Sequence, residues 1–433
     1  MSFTCETRAS LETLLNTIGI DKKEDVFSSI PEDLLFKGKL NIPEPMDEEK
    51  IRRKMDFPVS GTIFAGGGIY RHHIPSAVDA LTARQEFFTA YTPYQPEISQ
   101  GTLQSIFEYQ SMMADLTGMH ASNASMYDGA TALAEAALMA IRKKHVKKVF
   151  VSRATNPSYR AVLQTYLASH VDVAIIEIPF DPKTGRTDMN TLNETIDKDS
   201  AVFIQNPNFF GICEPMKEVS ETARNAGMWG IVVNEAISLG ILEKPGAFGP
   251  DIVLGEAQSF GNPVSAGGPL LGFMCVKKNL LRAMPGRVVG LSRDKNNTQS
   301  FCLTLATREQ HIRREKATSN ICSNQGLCAL RAAVYLNLIG PQGLRDTALQ
   351  CAFGARYLRD QLMDKGINTV FSGPFFHEFV IRMDTKKRKD LIKKGIVPGV
   401  DIQNVYPEIP DGLLVNVTEM NTKKECACLI EHL

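Results

Sequence analysis

The chain has no excess of either charge: Lys plus Arg and Asp plus Glu both total 48 in 433 residues. A sequence-independent nucleic-acid binder needs a basic surplus, so that class is disfavoured and no nucleic-acid partner is expected. No apolar run approaches the roughly 20 residues that cross a bilayer, so no membrane partner is expected. The stretch Met1–Ala9 lacks the apolar core of a secretory signal, and the expected location is cytoplasmic. The nine cysteines (Cys5, Cys213, Cys275, Cys302, Cys322, Cys328, Cys351, Cys426 and Cys428) are scattered and odd in number. They read as reduced thiols rather than a disulfide framework. Cys426 and Cys428 have no second pair and no histidine at ligand spacing, and the eight histidines form no HExxH cluster, so no metal is expected. Internal repeats and low-complexity tracts are also missing.

What is present fits a large globular chain. A hydrophobic fraction of 43% with 22% charged residues supplies a sizeable core. The length exceeds one minimal core, so two domains plus an arm are expected. Residues 1–60 read as a helical arm and linker. Ser10 is placed to N-cap a helix over Leu11–Ile18, Pro31 suits the first turn of another, and the prolines of Lys39–Met46 enforce an extended link. Such an arm serves equally as a clasp on a partner subunit or as a surface tether.

Residues 61–325 alternate short apolar runs with helical segments. Strands are expected at Lys148–Ser152, Val171–Pro179, Ala201–Gln205, Trp229–Asn234, Asp251–Leu254 and Gly272–Val276. Continuous burial rather than alternation marks them as parallel strands covered on both faces. Helices are expected at Pro157–Ser169 and Pro215–Ala226, giving a doubly wound α/β domain with a mainly parallel sheet. Residues 326–433 change character. Helical stretches over Gln325–Leu338 and Gly343–Lys365 precede strands near Glu378–Met383 and Gly412–Val417, the outline of a smaller α+β domain.

Four segments carry groups capable of chemistry. Tyr91–Leu103 is a Pro- and Gly-braced polar loop ahead of a helix ending at Gly118; it is either a binding loop or a solvated connection with packed tyrosines. Asn123–Glu135 sets Gly129, Ala130 and Thr131 at a helix start, a geometry that can cradle phosphate but also serves as a capping turn. Asp128 at its mouth opposes an anion. Glu309–Ile321 holds Arg313, Arg314 and Lys316 with Thr318, Ser319 and Asn320, suited to a carboxylate or phosphate, or simply a solvated charged face. His72 and His73 follow Gly66-Gly67-Gly68; adjacent histidines point apart, so either is an acid–base group or a structural one.

Taken together, these strings resemble the P-protein of the glycine cleavage system, in the N-terminal-half chain of its split two-subunit form. The resemblance rests on FFTAYTPYQPEISQGTLQ (87–104), NASMYDGATALAE (123–135), MPGRVVG (284–290) and TREQHIRREKATSNI (307–321), and it runs almost end to end, to Val417–Thr422. It implies a fold-type-I pyridoxal-phosphate-dependent transferase-like architecture: a large domain with a mainly parallel sheet and a smaller C-terminal domain. It also implies a heterotetramer of two such chains and two catalytic partners. The implied reaction is decarboxylation of glycine with transfer of the aminomethyl group to the lipoyl arm of H-protein.

Two positions depart from a working cofactor site. Gln258 stands where the Schiff-base lysine belongs, and an amide cannot form an imine. Asn234 stands where a carboxylate pairs with the pyridine nitrogen. Lys244, Lys277 and Lys278 lie at the wrong places to substitute. The resemblance therefore implies no catalytic residue of this chain's own and pyridoxal phosphate held covalently by the partner. Thr318, Ser319 and Asn320 are expected to contact the cofactor phosphate in trans. Tyr91, Thr92, Tyr94, Gln95, Glu97, His72, His73 and Arg313 are expected on the glycine or lipoyl side. Two rival readings are a self-sufficient pyridoxal lyase using an unexpected lysine and a catalytically silent structural or regulatory subunit.

Overall fold

The computed structural model describes residues 7–55, 61–265, 268–305 and 308–433; Cys5, the Ala266–Gly267 pair beyond Gln258, and Thr307 lie outside the described residues. The chain divides into two units at residues 59 and 60. In the first, the opening helix runs Arg8–Ile18. Its N-cap is Thr7 and not the expected Ser10: the Thr7 hydroxyl accepts from Ser10 N while Ser10 Oγ accepts from Thr7 N at 2.9 Å. Ser10 is thus the N3 partner in a capping box, which satisfies two otherwise orphaned amides and extends the helix by one turn. Pro31 precedes a single short turn, Glu32–Leu34.

The second unit is built on a seven-stranded sheet. After β1 (Thr62–Ile63), its strands are β2 (Ala121–Ser122), β3 (Lys148–Ser152), β4 (Ala174–Ile178), β5 (Ser200–Gln205), β6 (Met228–Val233), β7 (Ile252–Glu256) and β8 (Gly272–Val276). Their order is β2-β8-β7-β6-β5-β3-β4, with β7, β6, β5, β3 and β4 parallel and β8 antiparallel to both neighbours. Side chains alternate between faces, so one strand feeds two cores. Val202 and Ile204 join Trp229, Ile231 and Val253 against Tyr109, Met113 and Tyr335 on one side. Ala201 and Phe203 join Val232 and Leu254 against the Ala-rich helix Gly129–Lys144 on the other. Every residue of β5, β6, β7 and β8 is buried, which explains why these strands read as unbroken apolar runs.

A hairpin follows: β9 (Val288–Arg293) pairs antiparallel with β10 (Gln299–Thr304). The helix Gln100–Thr117, ended by Gly118 in the left-handed region, holds it through two side-chain amides. Gln110 Nε2 donates to Val289 O at 3.0 Å and Oε1 accepts from Val289 N at 2.9 Å. Gln100 exchanges the same two bonds with Phe301, each 2.9 Å. The long helical segment Gly326–Asp364 is broken at Gly340, just before Pro341, as the two separate stretches in the sequence anticipate. Beyond it, β11 (Glu378–Arg382), β12 (Ile396–Val397), β13 (Val400–Asp401) and β14 (Gly412–Asn416) complete the chain. β11, β14 and β13 form a three-stranded antiparallel sheet, while β12 pairs with β1 in parallel.

Candidate functional site

The carboxyl ends of β5, β6 and β7 are the place where an open α/β sheet normally opens a ligand crevice. Gln205 ends β5, Asn234 follows β6, and Gln258 lies two residues past β7. Here the chain's own Gly66–Tyr70 strap fills that place. Gln258 Oε1 accepts from Tyr70 N at 3.0 Å, and its Nε2 donates to Tyr70 O at 3.1 Å and to Asn262 O at 2.6 Å. Asn234 Nδ2 donates to the Tyr70 hydroxyl at 2.9 Å, which in turn donates to Glu378 Oε2 at 2.8 Å. The other Glu378 oxygen accepts from Gly67 N at 2.7 Å. Asn156 Nδ2 donates to Asn234 Oδ1 at 3.2 Å and to Gly67 O at 3.1 Å. Tyr70, Asn234, Gln258 and Glu378 are all at most 3% exposed.

Backbone geometry lets the strap lie this deep. Gly68 adopts φ +118°, and a Cβ there would meet Asn156 Nδ2 at 2.5 Å. Gly211, in the turn after β5, has φ +79°, and its Cβ would overlap Glu378 O. Burial raises the Glu378 carboxyl to about 8, against the lowering effect of the Gly67 amide and the Tyr70 hydroxyl. It is therefore a neutral acid near pH 7.

The expected phosphate cradle at Gly129 is closed in the same way. Asp128 is the N-cap, accepting from Thr131 N at 2.7 Å. The buried Glu256 takes Gly129 N at 3.0 Å, together with Leu271 N at 2.7 Å and Gln258 N at 3.0 Å. Carboxylates of the protein occupy the amides that would otherwise face an anion. Lys244 binds Asp115 at 3.1 Å, and Lys277 binds Gly249 O and Asp251. These residues do not fit covalently held pyridoxal phosphate: the Gln258 amide forms no imine, Asn234 carries no acid, and the strap takes the space.

The four polar strings, in contrast, meet one another. Arg287, in the 284–290 string, is 4% exposed. Its Nη2 donates to the Tyr94 hydroxyl at 3.0 Å, Nη1 to Asn324 Oδ1 at 3.4 Å, and Nε lies 3.7 Å from Glu309 Oε2. Its backbone carbonyl accepts from Ala124 N at 2.8 Å. Asn324 and Gln325 N both donate to the Ser125 hydroxyl, at 3.1 and 3.0 Å. The buried Arg287 thereby touches the 87–104 and 307–321 strings through its guanidinium and the 123–135 string through its main chain. Sequence reading missed Arg287 as a site residue; its place inside a family-like string was the available signal.

Thr318 and Ser319 border a hollow of about 10 Å³ shared with Gly286, Arg308 and Glu309. Thr318 N donates to Arg308 O at 3.0 Å, Ser319 Oγ accepts from Ile321 N at 3.1 Å, and Asn320 Oδ1 accepts from Gln310 Nε2 at 3.1 Å. Tyr91 and Thr92 line a separate cavity of about 290 Å³ with Phe87, Phe88 and Leu330. Tyr91 is 82% exposed, and Gln95, Glu97 and Arg313 are exposed as well. His73 is exposed, whereas His72 is buried against Glu419, Nδ1 to Oε2, at 2.8 Å.

The parallel sheet, the order of its strands and the position of the filled crevice define the fold-type-I pyridoxal-phosphate-enzyme scaffold. Solved structures with 12–14% identity agree on that fold alone, among them a NifS-like protein (TM-score 0.63, 86% of this chain and 97% of that one). The family model for the glycine cleavage system P-protein matches residues 1–433, and the chain belongs to that family. It is 46% identical over 99% of its length to a probable glycine dehydrogenase (decarboxylating) subunit 1 of Moorella thermoacetica, covering 98% of that protein. The Bacillus subtilis protein of the same description is 44% identical, with 99% and 97% covered. A crystal structure of glycine decarboxylase (P-protein) of the glycine cleavage system, in inhibitor-bound form, superposes with a TM-score of 0.87 at 39% identity over 100% of this chain and 99% of that one.

Proposed function

We propose that the chain is the cofactor-free half of a two-chain glycine decarboxylase. A partner of similar fold, with lysine where this chain has Gln258, holds pyridoxal phosphate covalently. Glycine is decarboxylated on that partner, and the aminomethyl group passes to the lipoyl arm of H-protein. The observation that carries this reading is the contrast between a crevice filled by the Gly66–Tyr70 strap and a set of polar strings joined at Arg287. The relatives' shared designation as subunit 1 supports a second subunit, and two copies of each chain is the assembly inferred.

In this reading Thr318, Ser319 and Asn320 reach the partner's cofactor phosphate. Tyr91, Thr92, Tyr94, Gln95, Glu97 and Arg313 face glycine or the lipoyl arm, with His73 at the surface and His72 behind it. Residues 1–60 serve as the arm, 61–325 as the large domain and 326–433 as the small one. The unpaired cysteines among the described residues suit the reducing cytoplasm. The test is reconstitution. Glycine–bicarbonate exchange should need both chains together, and an equal rate from the partner alone would leave this chain a silent structural or regulatory subunit.

A further inference from the structure

Beneath the strap lies a cluster that no motif in the sequence announces. His72 follows the strap, Glu235 follows Asn234 at the end of β6, and His377 immediately precedes β11. The ring nitrogens His72 Nε2 and His377 Nε2 both face Glu235 Oε2, at 3.6 and 4.0 Å, and the three donor atoms lie within 4.8 Å of one another. The three side chains are at most 3% exposed. Neither ring nitrogen has a hydrogen-bond partner, which leaves two buried polar atoms uncompensated.

Three further features match what a metal centre requires. His72 is oriented from behind by Glu419, at 2.8 Å from Nδ1, the carboxylate–histidine pairing that fixes which nitrogen faces a cation. Glu235 is oriented as well, Oε1 accepting from Ile237 N at 2.7 Å and Oε2 from Ser259 Oγ at 2.8 Å. Charge also favours a cation: Glu235 and Glu419 bring two carboxylates to the cluster, and a divalent ion held by neutral imidazoles balances them.

We propose that His72 Nε2, His377 Nε2 and Glu235 Oε2 bind a divalent transition-metal cation of the zinc class. Ligation at about 2.0–2.2 Å sets donors about 3.3–3.5 Å apart, so the present separations close by at most about 1.5 Å. The two nitrogens and one oxygen suit zinc rather than magnesium or calcium, which prefer oxygen. A water completes the coordination. The metal ties the residue following the strap to the sheet end and to β11, locking the plug in the crevice. Its role is structural.

Metal analysis of the full-length chain, expressed with zinc and dialysed against metal-free buffer, tests this directly. The expected result is about one zinc per chain, falling at least tenfold in His377→Ala and in Glu235→Gln while the surface variant His120→Ala keeps it. Cobalt substitution should give a visible d–d spectrum that His377→Ala abolishes while keeping the far-ultraviolet circular dichroism of the folded chain. Wild-type protein that retains less than about a tenth of an equivalent after zinc loading overturns the proposal. So does stoichiometric zinc that survives both ligand substitutions.

Discussion

Gln258 and Tyr70 satisfy each other at the main chain: the glutamine amide accepts from Tyr70 N at 3.0 Å and donates to Tyr70 O at 3.1 Å. Position 258 is therefore part of the strap's anchorage. The same two-way bond recurs at Gln110 with Val289 and at Gln100 with Phe301. A primary amide offers both donor and acceptor in the spacing of a peptide group, which lysine cannot copy.

Gln258→Lys should consequently fail to restore a cofactor site. The ammonium leaves Tyr70 N without its acceptor and places a charge at a position 1% exposed, so a stability loss of about 2–4 kcal/mol is expected in urea unfolding. Pyridoxal phosphate added to this variant, or to Gln258→Lys with Asn234→Asp, should leave no borohydride-stable adduct at position 258.

Glu378 gives the strap a pH dependence. Its folded carboxyl titrates near 8, above the ordinary value of 4.5, so the folded state binds the extra proton between these limits. Stability from this group is complete below about pH 4.5 and is lost as pH rises through about 8. Glu378→Gln stays neutral and should flatten that decline, raising the melting temperature relative to wild type by about 2 °C or more at pH 9. Melting curves from pH 5 to 9 check this.

The sheet was largely legible because β5 to β8 are buried throughout, with polar residues only at strand ends. The helix start at Thr7 was not, since Thr7 and Ser10 are both good caps and only their reciprocal bond decides between them. From the sequence, Gln258 and Asn234 were legible as amides without cofactor chemistry of their own. That they hold Tyr70 was not, because the partners are 188 and 164 residues apart. The His72, Glu235 and His377 cluster is hidden for the same reason: its members share no local spacing.

Arg287 joins the polar strings through a planar fork, which lysine cannot reproduce. Arg287→Lys should retain the fold and assembly with the partner yet lower glycine–bicarbonate exchange at least tenfold, a loss of about 1.4 kcal/mol or more in transition-state stabilisation. Size-exclusion chromatography beside the exchange assay separates the two effects.

Thr318→Ala combined with Ser319→Ala tests the trans contact. The complex should still form, and the concentration of pyridoxal phosphate needed for half-maximal reactivation of cofactor-depleted complex should rise about tenfold, the worth of one hydrogen bond to a charged group. An unchanged requirement counts against these two hydroxyls as phosphate ligands.

If the two chains divide the labour as proposed, the cofactor's lysine lies on the partner. The active complex is reduced with borohydride, digested, and searched by mass spectrometry for pyridoxyl-lysine. The adduct should appear on the partner chain alone, at one per pair of chains; a stoichiometric adduct on any lysine of this chain would refute the cofactor-free assignment.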